Sequence, residues 1–113
     1  MTRTALEHTQ GFTIDAARAL HDQAGRQEER ANETDQQKHP GRRAMLLMIA
    51  STTYTSAGRF YEAAAEWMDA PNMETDSNRE AARTYRHHAR RCYSRAERLK
   101  ETALASKAER MNA

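Results

Sequence analysis

The residues best suited to chemistry lie together in one short segment of the chain. His87 and His88 are adjacent, and Cys92 follows His88 by four residues. On a helix His88 and Cys92 would share a face, and imidazole and thiolate are both zinc ligands. Two ligands are too few for a zinc site, however, and no CxxC or HExxH motif accompanies them. The spacing therefore predicts no metal site.

A Cys–His nucleophile is the other chemistry that this segment suggests. Such a pair needs a third group to orient the base, and the sequence offers none at a recognisable spacing. The chain also lacks a Gly-rich phosphate loop. We therefore predict a non-enzymatic protein without cofactors, in which Cys92 packs in the interior and His88 borders it.

The same segment is rich in arginine. Residues 78–110 carry ten Lys or Arg and four Asp or Glu, whereas the whole 113-residue chain has a formal net charge of only +2. The rest of the chain must therefore be acidic, which indicates two differently charged surfaces. The residues predicted to contact a partner are Arg79, Arg83, Arg86, Arg90 and Arg91.

A basic face of this kind suits either nucleic-acid phosphates or an acidic protein surface. Glu80, Glu97 and Glu101 interrupt the face, and neither a helix-turn-helix nor an aromatic–basic alternation is present. These features favour a protein partner, with direct DNA or RNA binding as the alternative.

Helices must position these side chains, because the chain has four Gly, two Pro and no run that alternates apolar with polar residues. We predict an all-α fold, a small bundle of about four helices with a long C-terminal helix. The predicted helices span residues 13–38, 42–57, 60–70 and 78–106, between a flexible N-terminus (1–12) and a frayed C-terminus (107–113), and Ser77 or Asn78 is the predicted cap of the last helix. Residues 25–38 are so polar that the sequence leaves helix and linker equally open.

The predicted fourth helix carries a stripe of small residues at alternating steps of three and four. Such heptad spacing keeps one stripe of a helix against a partner helix. With 38% hydrophobic residues and a mean hydropathy of −1.03, a single-chain core would be thin, so we expect a homodimer. The stripe serves as a dimer seam or a packing seam, and its residues are Ala82, Tyr85, Ala89, Cys92, Ala96 and Leu99.

The stretch SAGRFYEAAAEWMDAP, residues 56–71, has the spacing of a helix hairpin. Gly58 would make the turn, and the apolar residues after it share one helix face. Residues 44–71 resemble a single tetratricopeptide-type unit, whose repeats show these residue classes at these spacings. The predicted hairpin-packing residues are Tyr54, Gly58, Phe60, Ala63, Trp67 and Ala70.

A longer resemblance covers residues 50–99. The order Gly-x-Phe-x-x-Ala-Ala-x-x-Trp-x-x-Ala, then Asn-Arg, then an Arg-rich helix with one Cys is similar to the ANR family of negative transcriptional regulators and the related PerC-like regulators of bacteria, plasmids and phages. The residues that match are Gly58, Phe60, Ala63, Ala64, Trp67, Ala70, Asn78, Arg79, Arg90, Arg91 and Cys92. The family tends to show Leu-Glu before the Gly segment and a Trp soon after Asn-Arg, and this chain has neither.

The resemblance implies a small regulator of transcription that acts by protein contact, as a dimer that binds and inhibits an AraC-type transcription factor. PerC-like relatives raise expression instead, so the direction of regulation does not follow. A phage or plasmid adaptor that inhibits a host protein would use the same surface and is a further alternative.

The compartment is predicted from what the sequence lacks. Its longest apolar run, AMLLMIA at residues 44–50, is far shorter than the roughly 20 residues of a membrane span. The N-terminal sequence MTRTALEHTQ lacks the apolar core of a secretion signal, and one cysteine excludes an intramolecular disulfide. We therefore expect a cytoplasmic protein that does not enter a membrane.

Overall fold

The fold consists of long antiparallel helices. The computed structural model describes the backbone of residues 3–70 and 75–112, and the side chains of residues 13–70 and 75–106. These residues form three helices, α1 (Arg3–Glu33), α2 (Pro40–Met68) and α3 (Asp76–Asn112). The all-α class is confirmed, but the described residues contain three helices where the sequence predicted four.

Helix α2 lies between the other two and packs against both. Near its start Arg43 approaches Ser106 of α3, with 3.4 Å between Nη1 and Oγ, and just after its end Asp69 forms an ion pair with Arg86. The molecule is a rod of 59 × 18 × 18 Å with a radius of gyration of 17.6 Å, whereas a compact chain of this length would have about 13 Å. Over the described residues, no helix carries the long apolar stretch that a membrane span requires.

The sequence left open whether residues 25–38 form a helix or a linker, and helix α1 answers this question. The helix continues through the polar segment to Glu33, and a tight turn follows it. The Asp35 carboxylate accepts hydrogen bonds from the backbone N–H groups of Gln37 and Lys38, at 2.8 and 3.2 Å, which replaces helical pairing. At its other end the described helix begins at Arg3, ten residues before the predicted start, and residues 1 and 2 lie outside the described part.

The predicted turn at Gly58 is wrong, because α2 runs without a break from Pro40 to Met68. Gly58 is buried in the middle of this helix and has no positive φ. A Cβ atom added there would lie 2.7 Å from Cε1 of Tyr93 on α3. The glycine is therefore required for a close approach between helices rather than for a turn.

The predicted hairpin of residues 44–71 is consequently absent from the described structure. Tyr54 is buried, but Phe60 is 38% exposed, and Ala63 and Trp67 are only partly buried on a different side of the same helix. Ala70 follows the helix end, and the predicted stop at Pro71 lies outside the described residues.

Helix α3 begins two residues earlier than predicted. Thr75 caps it, because its Oγ1 accepts a hydrogen bond from the backbone N–H of Asn78 at 3.1 Å, and Asp76 lies in the first turn, where a negative charge suits the helix dipole. The predicted fray at residues 107–113 is not tested, although α3 extends to Asn112.

The core pairs small residues on the outer helices with larger ones on α2. Helix α1 contributes alanines seven residues apart, and α2 contributes a heptad series of alternating large and small residues that passes Gly58 without interruption. The α1 residues are Ala17, Ala24 and Ala31, and the α2 residues are Leu47, Ala50, Tyr54, Ala57, Tyr61 and Ala64.

Candidate binding groove

A groove of about 530 Å³ lies between α1 and α3, where these two parallel helices diverge over α2. Tyr54 of α2 forms part of its floor, His21 lines it from α1, and arginines line it from α3. We call this the α1–α3 groove. Its α3 lining consists of His87, Arg90, Arg91, Cys92, Ser94, Arg95 and Arg98.

A buried carboxylate is hydrogen-bonded to two residues of the groove lining, Tyr54 and Arg95. Glu28 of α1 is only 8% exposed, and its Oε1 accepts hydrogen bonds from Nε of Arg95 at 2.8 Å and from the Tyr54 hydroxyl at 3.1 Å. A second Arg95 nitrogen, Nη2, donates to Oε2, so the ion pair is bidentate. The positive charge of Arg95 thereby balances the negative charge of Glu28, and the Glu28 carboxylate links all three helices at one point.

The hydrogen bonds of this cluster also affect the two donors. The hydrogen bond to Glu28 raises the pKa of Arg95 above its ordinary value. Burial, followed by the negative charge of Glu28, raises the pKa of the Tyr54 hydroxyl. Arg95 therefore stays cationic and Tyr54 stays protonated, so both remain donors to the carboxylate.

The other arginines of the groove are not committed to a carboxylate. Arg90, Arg91 and Arg98 are exposed, and none has an ion-pair partner among the described side chains. Together with His21 and His87 they surround the opening with groups that donate hydrogen bonds. The groove is therefore suited to an anionic group.

A second opening of about 330 Å³ continues the groove toward the start of both helices. Arg18 and His21 line it from α1, and His88 and Arg91 line it from α3. Burial lowers the pKa of His88, and the nearby His87 and Arg91 lower it further. His88 also packs against Tyr61, with ring centroids 5.2 Å apart.

The predicted partner-binding arginines are divided by the structure among different environments. Arg86 forms an ion pair with Asp69, and Arg79 lies 4.0 Å from Asp76. Arg83 is exposed on α3 and lines none of the described cavities. Of the predicted set, therefore, only two residues line the α1–α3 groove, and these are Arg90 and Arg91.

The predicted seam on α3 faces α2 of the same chain. Five of its six residues are buried and Tyr85 is partly buried, while the Ser51 hydroxyl of α2 donates a 2.7 Å hydrogen bond to the Ala96 carbonyl. Alanine at this point lets the two helices approach closely. With α3 docked in this way the seam is not available to a second copy, so a dimer would need a different surface.

The Cys–His segment lies at the bottom of the groove. Cys92 is buried, and burial raises the pKa of its thiol, which disfavours the thiolate that would attack a substrate or bind a metal. Among the described residues, no three His, Cys, Asp or Glu side chains lie close enough together to hold a metal ion.

Sequence reasoning did not place Arg95, Arg98, His21 or Arg18 in a site. His21 of α1 lines the groove with Arg95 and Arg98 of α3, and Arg18 of α1 lines the second opening with Arg91, only because α1 and α3 run parallel on the same side of α2. The usable signal was the heptad series of α2, which extends over about five turns and predicts one helix with two neighbours. Comparisons with protein-family models, curated proteins and solved structures gave no match.

Proposed function

We propose that this protein is a small non-enzymatic regulator of transcription that acts by contact with another protein. The observation that carries the proposal is the set of exposed arginines around the α1–α3 groove that form no ion pair with any side chain the structure describes. Arginine presents several donors in a fixed plane, which suits the carboxylates of an acidic segment. The ligand of the groove is accordingly an acidic segment of a partner protein.

The resemblance to the ANR family supports an AraC-type transcription factor as this partner. Arg90 and Arg91 belong both to the residues that carry the resemblance and to the lining of the groove. A partner bound there could also reach His88 of α3 and Arg18 of α1, because the second opening adjoins the groove through Arg91.

A reporter experiment tests the proposal. The chain is co-expressed with each of a panel of AraC-type regulators and a promoter that each one controls. At least one promoter should change its output, and the change should disappear in the variant Arg91→Glu/Arg98→Glu. The matched control is Arg26→Glu, since Arg26 is exposed on α1 and lines none of the described cavities. Unchanged output across the panel, or equal effects of the two charge reversals, would overturn the proposal.

Direct nucleic-acid binding is a second candidate, because the same arginines could neutralise phosphates. A mobility-shift experiment with random-sequence duplex DNA and RNA at low salt distinguishes the two. Tight binding that weakens steeply with salt and is lost in Arg91→Glu/Arg98→Glu would favour nucleic acid. Absence of a shift at micromolar protein would leave the groove to an acidic protein segment.

A further inference from the structure

Helix α2 has an apolar side that neither α1 nor α3 covers. Met45 is 57% exposed, Ile49 42%, and Met48 and Phe60 38% each. With Thr52, Ser56 and exposed Arg59 these residues recur at steps of three and four, so they form one face, which we call the α2 stripe. The stripe lies opposite the side of α2 that carries the core residues Leu47, Tyr54 and Tyr61.

The stripe is unusual for the outer face of a helix in a rod of this kind, which is normally polar. A shallow depression of about 320 Å³ lies over Met45, Met48 and Ile49. Exposed apolar side chains grouped in this way mark an interaction surface. Met is well suited to such a surface because its unbranched side chain adapts to its neighbour.

The two hydroxyl groups of the stripe already form hydrogen bonds within α2. The Thr52 hydroxyl donates to the Met48 carbonyl at 3.0 Å, and the Ser56 hydroxyl donates to the Thr52 carbonyl at 3.2 Å. Because both hydroxyl protons already have acceptors within the helix, removing water from these groups leaves no unsatisfied donor. The centre of the stripe can therefore enter an interface at low cost.

We propose that the α2 stripe is the homodimer interface of this protein, with the two α2 helices antiparallel. Large side chains lie at both ends of the stripe and small hydroxyl residues lie at its centre. An antiparallel copy places the Met45 and Met48 end of one stripe against Phe60 of the other, and Thr52 against Ser56. A two-fold interface requires such self-complementarity.

Charge supports the same orientation. Exposed Arg42 lies before the stripe and exposed Glu66 lies after it, so an antiparallel pair brings opposite charges to the same end. A parallel pair would instead bring Arg42 against its own copy. Since the seam on α3 is occupied by α2, this interface also explains how the chain could dimerise without unfolding its core.

The mass in solution tests the interface. Sedimentation equilibrium should give twice the 12.9 kDa chain mass, and Ile49→Arg should weaken the dimer at least about tenfold, since it places a cation opposite exposed Arg59 of the other copy. Leu104→Arg is the matched control, because Leu104 is 54% exposed but lies on α3, outside the stripe. Circular dichroism establishes that each variant remains helical.

The orientation has its own measurement. A spin label at Arg42→Cys should give an inter-label distance of about 36 Å for an antiparallel pair centred near residue 54, from a rise of 1.5 Å per residue. A distance near 10–15 Å would overturn the antiparallel arrangement. A monomeric wild type at several hundred micromolar, or a dimer that Ile49→Arg leaves intact, would overturn the interface itself. Because the groove and the stripe share no residue, these results do not depend on the reporter experiment.

Discussion

Gly58 and Gly25 both lie inside helices, but their surroundings differ. A Cβ at position 58 would meet the Tyr93 ring at 2.7 Å, whereas a Cβ at position 25 would lie 3.9 Å from the Tyr54 hydroxyl oxygen, which is an ordinary contact. Glycine in a helix interior costs about 0.5–1 kcal/mol relative to alanine. The free-energy effect of the same substitution should therefore have opposite signs at the two sites.

We expect Gly58→Ala to lower the free energy of unfolding by about 1–2 kcal/mol, because overpacking outweighs the gain in helix propensity. Gly25→Ala, the matched control, should raise it by about 0.5–1 kcal/mol. Urea denaturation followed by circular dichroism measures both. In a Tyr93→Ala background the effect of Gly58→Ala should become stabilising, and a loss that persists there would contradict the assigned contact.

Glu28 is a second residue whose substitution should affect the stability of the whole fold. It accepts hydrogen bonds from Arg95 and Tyr54 and so joins α3 and α2 to α1. We expect Glu28→Gln to lower the free energy of unfolding by about 1.5–3 kcal/mol, the range for hydrogen bonds to a charged group. Glu29→Gln, at the exposed next position, should change it by less than about 0.5 kcal/mol. Equal urea midpoints for the two variants would contradict a structural role for the cluster.

At the scale of the element, the heptad spacing of α3 was sufficient to predict a long helix with one buried stripe, and the structure places that stripe against α2. The spacing did not reveal whether the stripe would meet this chain or a second copy, because heptads specify contact with a helix and not its origin. For α2 the prediction of a turn relied too strongly on the single residue Gly58. The series from Leu47 to Ala64 continues across the glycine, and burial along that series overrides the turn preference.

The start of α3 gives a prediction that separates the two assignments of its cap. The hydroxyl of Thr75 accepts a hydrogen bond from the Asn78 N–H, whereas Ser77 and Asn78 were the candidates from sequence. Thr75→Ala should lower the free energy of unfolding by about 1 kcal/mol. Ser77→Ala should change it by less than about 0.5 kcal/mol. A larger loss of stability for Ser77→Ala than for Thr75→Ala, in thermal or urea denaturation, would identify Ser77 as the cap instead.

The contact between α1 and α3 should depend on pH through His88. Burial lowers its pKa in the folded chain below the ordinary value of about 6.5, so the unfolded chain binds the proton more readily. The contribution of His88 to stability is therefore complete above about pH 6.5 and is lost as the pH falls through the lowered pKa. Urea midpoints at pH 7.5, 6.5 and 5.5 should fall more steeply for the wild type than for His88→Gln.

His39→Gln provides the control for the pH experiment. His39 is exposed between α1 and α2 and makes no side-chain capping hydrogen bond. This variant should keep the pH dependence of the wild type. Parallel curves for the wild type and His88→Gln would exclude His88 as the residue responsible.

At the scale of the whole molecule, the sequence was sufficient for the all-α class and for a thin, alanine-rich core. The α1–α3 groove could not be predicted, because His21 and Arg95 line the same opening only once the order and direction of the helices are known. The sequence did identify an arginine-rich helix. It did not show that Arg86 forms an ion pair within the chain whereas Arg91 lines the groove. That difference depends on the position of Asp69, which the sequence does not give.

The rod is more than three times as long as it is wide. Friction in solution depends on this length, so a single chain should diffuse more slowly than a compact protein of equal mass. On a gel-filtration column calibrated with spherical standards, one chain alone would then elute where two are expected. Light scattering measures molar mass independently of molecular shape, so it should accompany any chromatographic experiment on this protein.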